Sequence, residues 1–268
     1  MTSFVLSKRL RLTTGNERTG TMNVTAIVQA RMGSARLPGK VLMDLGGETV
    51  LGCVVQRLRR ASRISEVVVA TSERVENDRI AGECDRLGVS CFRGSENDVL
   101  DRYLRAATHF RSDVIVRVTS DCPLIDPAVA DEVVSAFFDG TADLACNDLP
   151  CTFPRGLDVE VFSPETLRRA EAIATKSYQR EHVTPVIYER PDLFRIASVC
   201  GEQDFSQYRW TLDTAEDLQL IREIYAHFEN RQDFCWQHVI ELMQHRPELA
   251  HINAHVVQKT VTAGASLA

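Results

Sequence analysis

Eleven consecutive residues, Ala30-Arg31-Met32-Gly33-Ser34-Ala35-Arg36-Leu37-Pro38-Gly39-Lys40, carry the densest chemical potential in the chain. They follow an apolar, β-rich run, Thr25–Ala30. In a parallel α/β sheet, ligands bind beyond the carboxyl ends of such strands. Glycines at 33 and 39 let backbone N–H groups approach an anion, and Arg31, Arg36 and Lys40 supply charge to neutralise it. The segment therefore reads as a polyphosphate cradle. It is not a Walker A loop, because five residues rather than four separate Gly33 from Gly39, and Val41 stands where a magnesium-binding hydroxyl belongs. Nor is it a GxGxxG dinucleotide loop, which removes a dinucleotide oxidoreductase from consideration. A basic surface loop with turn glycines is the competing reading. A second candidate, Asp121, follows the apolar run Val114–Thr119 and should project its carboxylate beside the cradle. Magnesium takes such hard oxygen ligands. The alternative is an aspartate that closes the turn before Pro123.

Positioning these groups requires alternating strands and crossover helices. Strands are predicted over Thr25–Ala30, Val67–Ala70, Ser90–Phe92, Val114–Thr119 and Leu144–Cys146, with helices over Val50–Ala61, Glu76–Leu87 and Val99–Phe110 between them. Asp126-Pro127 opens a further helix to Asp139, by an N-cap followed by proline at the first helical position. In the second half, strands are expected over Leu157–Phe162, Phe194–Val199 and Arg209–Leu212. Helices are expected from Ser163-Pro164 to Ala174, over His182–Glu189, and after a Thr214/Asp217 capping box to Phe228. The fold class is α/β, a single Rossmann-like, doubly wound domain with an inserted acceptor-binding region. Residues 1–22 are expected to be a flexible extension, 23–230 the α/β domain, and 231–268 a C-terminal helix and disordered tail.

The segment IVQARMGSARLPGKVL resembles the signature loop of the cytidylyltransferases that activate acidic sugars, the CMP-Kdo and CMP-sialate synthetases, and most closely their SpsF-like relatives of spore-coat polysaccharide biosynthesis. VVVATS, CFRGSENDVLDRY, VRVTSDCPLID, PRGLDVEVF, REHVTPVIYE and TLDTAEDL agree in order, over residues 24–228. The resemblance implies a nucleotide-diphospho-sugar-transferase type of fold, CTP as donor, Mg²⁺ as cofactor and a homodimer. Nucleotide contacts are then expected at Ala30, Arg31, Gly33, Ser34, Arg36, Lys40, Arg93, Ser95 and Asp121, and catalytic roles at Arg31, Lys40, Asp121 and Asp213. Asp213 matches the second metal carboxylate of such families, although it or Thr214 would cap the next helix in any protein. Arg93 and Ser95 lie in the segment that resembles the cytosine site. Arg93 could equally pair with Asp98 or Asp101 at a helix start. Acceptor contacts are expected at Arg155, Glu160, Arg180 and His182. A guanidinium such as that of Arg155 suits an acidic sugar, whereas Asp158 and Glu160 also fit the polar face of an ordinary strand, and His182 could simply cap and pack.

Composition bounds these readings. The 268 residues are 44% hydrophobic and 25% charged, an ordinary globular balance, and 37 acidic against 31 basic residues give −6. This balance argues against a general nucleic-acid coat, so any anion site must be local. No apolar run approaches the length of a bilayer span, no secretory signal is present, and a cytoplasmic location is expected. Eight cysteines are scattered without a CxxC pair, and no histidines fall in HExxH spacing, which argues against zinc sites. The expected reaction is attack of an acceptor oxygen on the α-phosphorus of CTP. Two alternatives stay open: a phosphonate or phosphorylated small molecule as acceptor, and a non-catalytic nucleotide- or glycan-binding module.

Overall fold

The structure is a computed structural model and describes residues 22–257. The extension expected before residue 22 and the end of the tail lie outside the described residues. The strands are β1 (Val24–Gln29), β2 (Glu66–Ser72), β3 (Ser90–Gly94), β4 (Val114–Thr119), β5 (Leu144–Cys146), β6 (Glu160–Phe162) and β7 (Ile196–Ser198). The helices are α1 (Val50–Leu58), α2 (Asp78–Leu87), α3 (Val99–His109), α4 (Pro127–Asp139), α5 (Pro164–Ile173), α6 (Ser177–His182), α7 (Pro185–Glu189), α8 (Ala215–His227), α9 (Trp236–His245) and α10 (Glu248–His251).

One seven-stranded sheet runs in the order β3-β2-β1-β4-β6-β5-β7. The first four strands are mutually parallel, while β6 pairs antiparallel with both β4 and β5. β6 thus enters between the strands that α4 connects, and brings the later half of the chain to the carboxyl edge of the parallel half. Alternation along the strands explains the two covered faces. Val24, Ala26 and Val28 of β1 join the core under α1, α4, α8 and α9, while Ile27 faces the other core, under α3, α5 and α7.

Helix starts follow local sequence. Asp126 accepts from the Ala128 amide ahead of Pro127, Ser163 from Thr166, and Thr214 and Asp217 form a reciprocal capping box on α8. Substituting such caps costs about 1 kcal/mol. α9 contributes Val239, Ile240, Leu242 and Met243 to the same core as α8.

Three expected elements differ. Arg209–Leu212 is no strand and makes a single parallel bridge, Arg155 to Arg209. Its place in the sheet is replaced by burial of Trp210, fully enclosed with its indole N–H 3.2 Å from Met243 Sδ. The strand expected from Leu157 starts only at Glu160, because the Asn147 side chain takes up the Leu157 carbonyl and the Val159 amide at 2.9 and 2.8 Å. The helix expected over His182–Glu189 is only α7, because α6 ends at His182. The two are separated at Val183, whose φ of 74° and ψ of −59° form a γ-turn closed by the Thr184 amide on the His182 carbonyl at 2.9 Å.

Candidate active site

The cradle begins where β1 ends. The Ala30 amide still bonds the Ala70 carbonyl at 3.1 Å, after which the chain leaves the sheet. The Met32 carbonyl gathers the loop by accepting from the Ser34 and Gly39 amides, both at 3.0 Å, and the Met32 amide donates to the buried Asn77 side chain at 2.8 Å. Gly39 has φ 72°, a left-handed conformation open to glycine, and it caps a short 3₁₀ turn over Lys40–Leu42. That turn drives the Lys40 side chain inward until only 10% of it is exposed.

There Lys40 Nζ lies 2.8 Å from Asp121 Oδ2, 2.8 Å from Asp213 Oδ1 and 2.8 Å from the Leu212 carbonyl. Burial opposes the ammonium charge, but the two carboxylates outweigh it and raise the Lys40 pKa. Asp213 is also bonded through Oδ2 to Arg36 at 2.8 Å and Arg209 at 2.7 Å. Burial would raise its pKa, yet Lys40, Arg209 and Arg36 hold it below the usual carboxylate range. Asp121 is oriented by Thr119, whose hydroxyl donates to Oδ1 at 2.5 Å. A backbone bond from the Leu212 amide to the Asp121 carbonyl, 2.8 Å, locks the two aspartate-bearing segments together. One ammonium bonded to both carboxylates shows that they can share one cation. Two hard oxygen donors beside a polyphosphate loop suit Mg²⁺, which takes one or two carboxylates and completes its shell with phosphate and water.

Arg31 stands apart from this cluster. It is exposed and 3.3 Å from Glu181 at the end of α6. Gly33 and Ser34 lie between Arg31 and Arg36 on the loop, with the Ser34 hydroxyl 3.4 Å from the Leu37 amide. Arg93 pairs with neither Asp98 nor Asp101. It reaches from the edge strand β3 to the Ser72 and Arg74 carbonyls, at 3.1 and 3.0 Å, and to Asp78 at 2.6 Å, so it holds the turn that follows β2. Asp98 instead caps α3 and binds Arg180. Ser95 closes the turn between β3 and α3, accepting from the Asp98 amide at 3.0 Å.

The acceptor candidates separate into committed and open groups. Arg180 is spent on Asp98, at 2.5 Å, and Glu171, at 3.3 Å, clamping α6 to its neighbours. Glu160 is buried in an ion pair with Arg117 and accepts from the Tyr188 hydroxyl at 2.8 Å. Arg155 bonds the Tyr208 and Trp210 backbone through its own backbone, and among the described residues its guanidinium has no hydrogen bond or ion pair. Gly156 beside it has φ 107°, and a Cβ there would sit 2.7 Å from the Trp210 and Thr211 backbone, so only glycine allows this approach. His182, half-buried, is held toward its neutral form by burial, with Arg117 and Arg31 adding to the effect.

Sequence reasoning missed Arg117, Tyr188, Asp148 and Arg209. Arg117 was detectable as a lone charge inside the apolar run VIVRVT. Its partners were not, since Glu160 is 43 residues away and Gln29, at 3.2 Å, is 88 away. Arg209 bonds Asp213 and the fully buried Asp217.

This arrangement has relatives. A family model described as cytidylyltransferase matches residues 25–255. The spore coat polysaccharide biosynthesis protein SpsF of Bacillus subtilis is 34% identical over 235 residues, 85% of this chain and 97% of that protein. A 3-deoxy-manno-octulosonate cytidylyltransferase of Geobacter sulfurreducens is 38% identical over 123 residues, 45% of this chain and 48% of its own. Among solved structures, a cytidylyltransferase of Leptospira borgpetersenii superposes with a TM-score of 0.83 at 37% identity, covering 86% of this chain and 97% of that one. With the family match running from β1 past α10 and the sheet order carrying its loop and aspartates to one edge, this chain belongs to the cytidylyltransferase family of nucleotidyltransferases.

Proposed function

We propose that this protein transfers CMP from CTP to an acidic sugar or related acceptor with release of pyrophosphate, in surface polysaccharide or glycoconjugate biosynthesis. The observation that carries the reading is the convergence of Asp121 and Asp213 on Lys40 beside the cradle. The likeness to SpsF and to a 3-deoxy-manno-octulosonate cytidylyltransferase supports the acceptor class.

The acceptor oxygen attacks the α-phosphorus in line and the bond to the pyrophosphate oxygen breaks. Little covalent chemistry is asked of the protein, so positioning and charge stabilisation carry the rate. Asp121 and Asp213 would hold Mg²⁺, which when bound supplies positive charge to the phosphate oxygens. Lys40 and Arg36, displaced from the carboxylates they now neutralise, turn to the departing pyrophosphate, and Arg31 approaches from the outer side of the loop. Arg93 and Ser95 fix the turns against which the cytosine is read. Arg155, with its guanidinium uncommitted, pairs the acceptor's acidic group, while His182 orients its hydroxyls.

No described helix is long and apolar enough to cross a membrane. The proposal includes a cytoplasmic location, where both substrates would be soluble, and a homodimer. CTP-dependent pyrophosphate release, screened over acidic sugars and phosphonates with Mg²⁺ present, tests the function. Release with phosphonates alone would move the acceptor class, and no release with any acceptor would sink the reading.

A further inference from the structure

Deepening that reading, and resting on it for the acceptor class, we propose that Asp148 carries a proton shared with Tyr188 and presents a neutral carboxyl on the acceptor side of the site, where it selects for an anionic acceptor. The argument is a count of protons. The Tyr188 hydroxyl lies 2.8 Å from Glu160 Oε1 and 3.1 Å from Asp148 Oδ1. One hydroxyl donates one hydrogen bond, so the second contact needs a proton from a carboxyl group. Glu160 is buried in an ion pair with Arg117, whereas among the described residues no ion pair reaches Asp148. The extra proton therefore belongs to Asp148.

The surroundings agree. Asp148 follows β5 at the carboxyl edge of the sheet and is half-buried. Facing it are Tyr188 from α7, Glu160 from β6 with Arg117 of β4 behind it, Cys146 from β5, Cys151 across a backbone bridge, and Asp158 in the loop before β6. Burial raises the Asp148 pKa and Glu160 adds to the rise, and together they outweigh the hydrogen bonds to Cys146 and Tyr188 that lower it. Burial, Glu160 and Asp148 likewise raise the Tyr188 pKa, so the phenol keeps its proton. Arg117, behind Glu160, is already neutralised by it. Asp158 feels both Asp148 and Arg155, so an ionised Asp148 would add negative charge close to the proposed acceptor cation and would repel an acidic acceptor. A neutral Asp148 would not.

The test uses the full chain without ligand. In an infrared pH titration, the wild type should keep a protonated-carboxyl band above the ordinary aspartate range, and that band should vanish from Asp148→Asn. Tyr188→Phe, which leaves Asp148 intact but removes its hydroxyl partner, should shift the same band. Because the folded-state pKa of Asp148 is raised, its stabilising proton is lost as pH rises. Asp148→Asn should therefore melt with the wild type at low pH and above it at high pH. Identical spectra and identical melting profiles would overturn the shared proton. A kinetic arm uses CTP with 3-deoxy-manno-octulosonate and other acidic sugars as probes. The acceptor KM should rise by up to about tenfold per pH unit once Asp148 ionises and stay flat in Asp148→Asn. A flat wild-type KM would remove the selecting role. No turnover with any acidic probe would count against the acceptor class and that role together, while the infrared arm still decides the proton.

Discussion

Lys40 Nζ and Asp213 Oδ1 meet at 2.8 Å across 173 residues of chain, and the same ammonium bonds Asp121. The cradle loop after β1, the Asp121 turn after β4 and the Asp213 segment outside the sheet are thereby coupled through one cation.

Removing that cation leaves two facing carboxylates without it. Lys40→Met is expected to lower CTP turnover by at least about a hundredfold, since a charge aimed at the leaving phosphates is lost. It should also destabilise the fold, because breaking one partner of a buried pair commonly costs about 3 kcal/mol. Steady-state kinetics and chemical denaturation measure the two effects. Wild-type turnover in Lys40→Met would assign the lysine to structure alone.

Asp121→Asn and Asp213→Asn should each fold and each lose most turnover, on the order of a hundredfold, by weakening the metal site. Titration of Mg²⁺ against rate separates this from a general defect, because excess metal should restore part of the activity. Full activity of Asp213→Asn would leave that residue as a tie between Lys40, Arg36 and Arg209.

The depressed Asp213 pKa also predicts a pH dependence of stability. A carboxylate whose folded-state pKa lies below its unfolded value, about 3.9, stabilises the protein above that value and loses the contribution as pH falls through the folded pKa. The melting-temperature gap between wild type and Asp213→Asn should therefore be widest near neutrality and close in acid. A gap independent of pH would contradict the ion-pair origin of the shift.

CTP should bind more tightly than ATP or GTP. Arg93 ties the edge strand to the Ser72 and Arg74 carbonyls, which fixes the turn proposed to face the base. Arg93→Ala, by loosening that turn, should raise the KM for CTP about tenfold with a smaller change in kcat. Equal affinity for ATP and CTP, measured by calorimetry, would return the protein to the wider nucleotidyltransferase class.

The two acceptor arginines should behave differently. Arg155, whose guanidinium is uncommitted among the described residues, should on replacement by alanine raise the acceptor KM and spare the KM for CTP. Arg180, committed to Asp98 and Glu171, should on the same replacement lower thermal stability first. Reversed effects would reassign the acceptor contact to α6.

Local chemistry was legible in the residues themselves. The glycine and cation spacing of 30–40, the N-caps at Asp126, Ser163 and Thr214, and the alternating strands β1 to β4 all depend on neighbours a few residues away, so sequence determined them. The family motifs were legible for the same reason. Tertiary structure decided what distant segments do to one another. It made Arg209–Leu212 a strap held by Trp210 burial instead of a strand, turned Arg93 to Asp78 rather than Asp98, and consumed Arg180 in a clamp. It also assembled Gln29, Arg117, Glu160, Tyr188 and Asp148 into one polar chain. Periodicity and propensity report a residue's own backbone, whereas a side chain's partner depends on which strands the sheet sets side by side. That order, with β6 wedged between β4 and β5, is a long-range packing outcome that no local window contains.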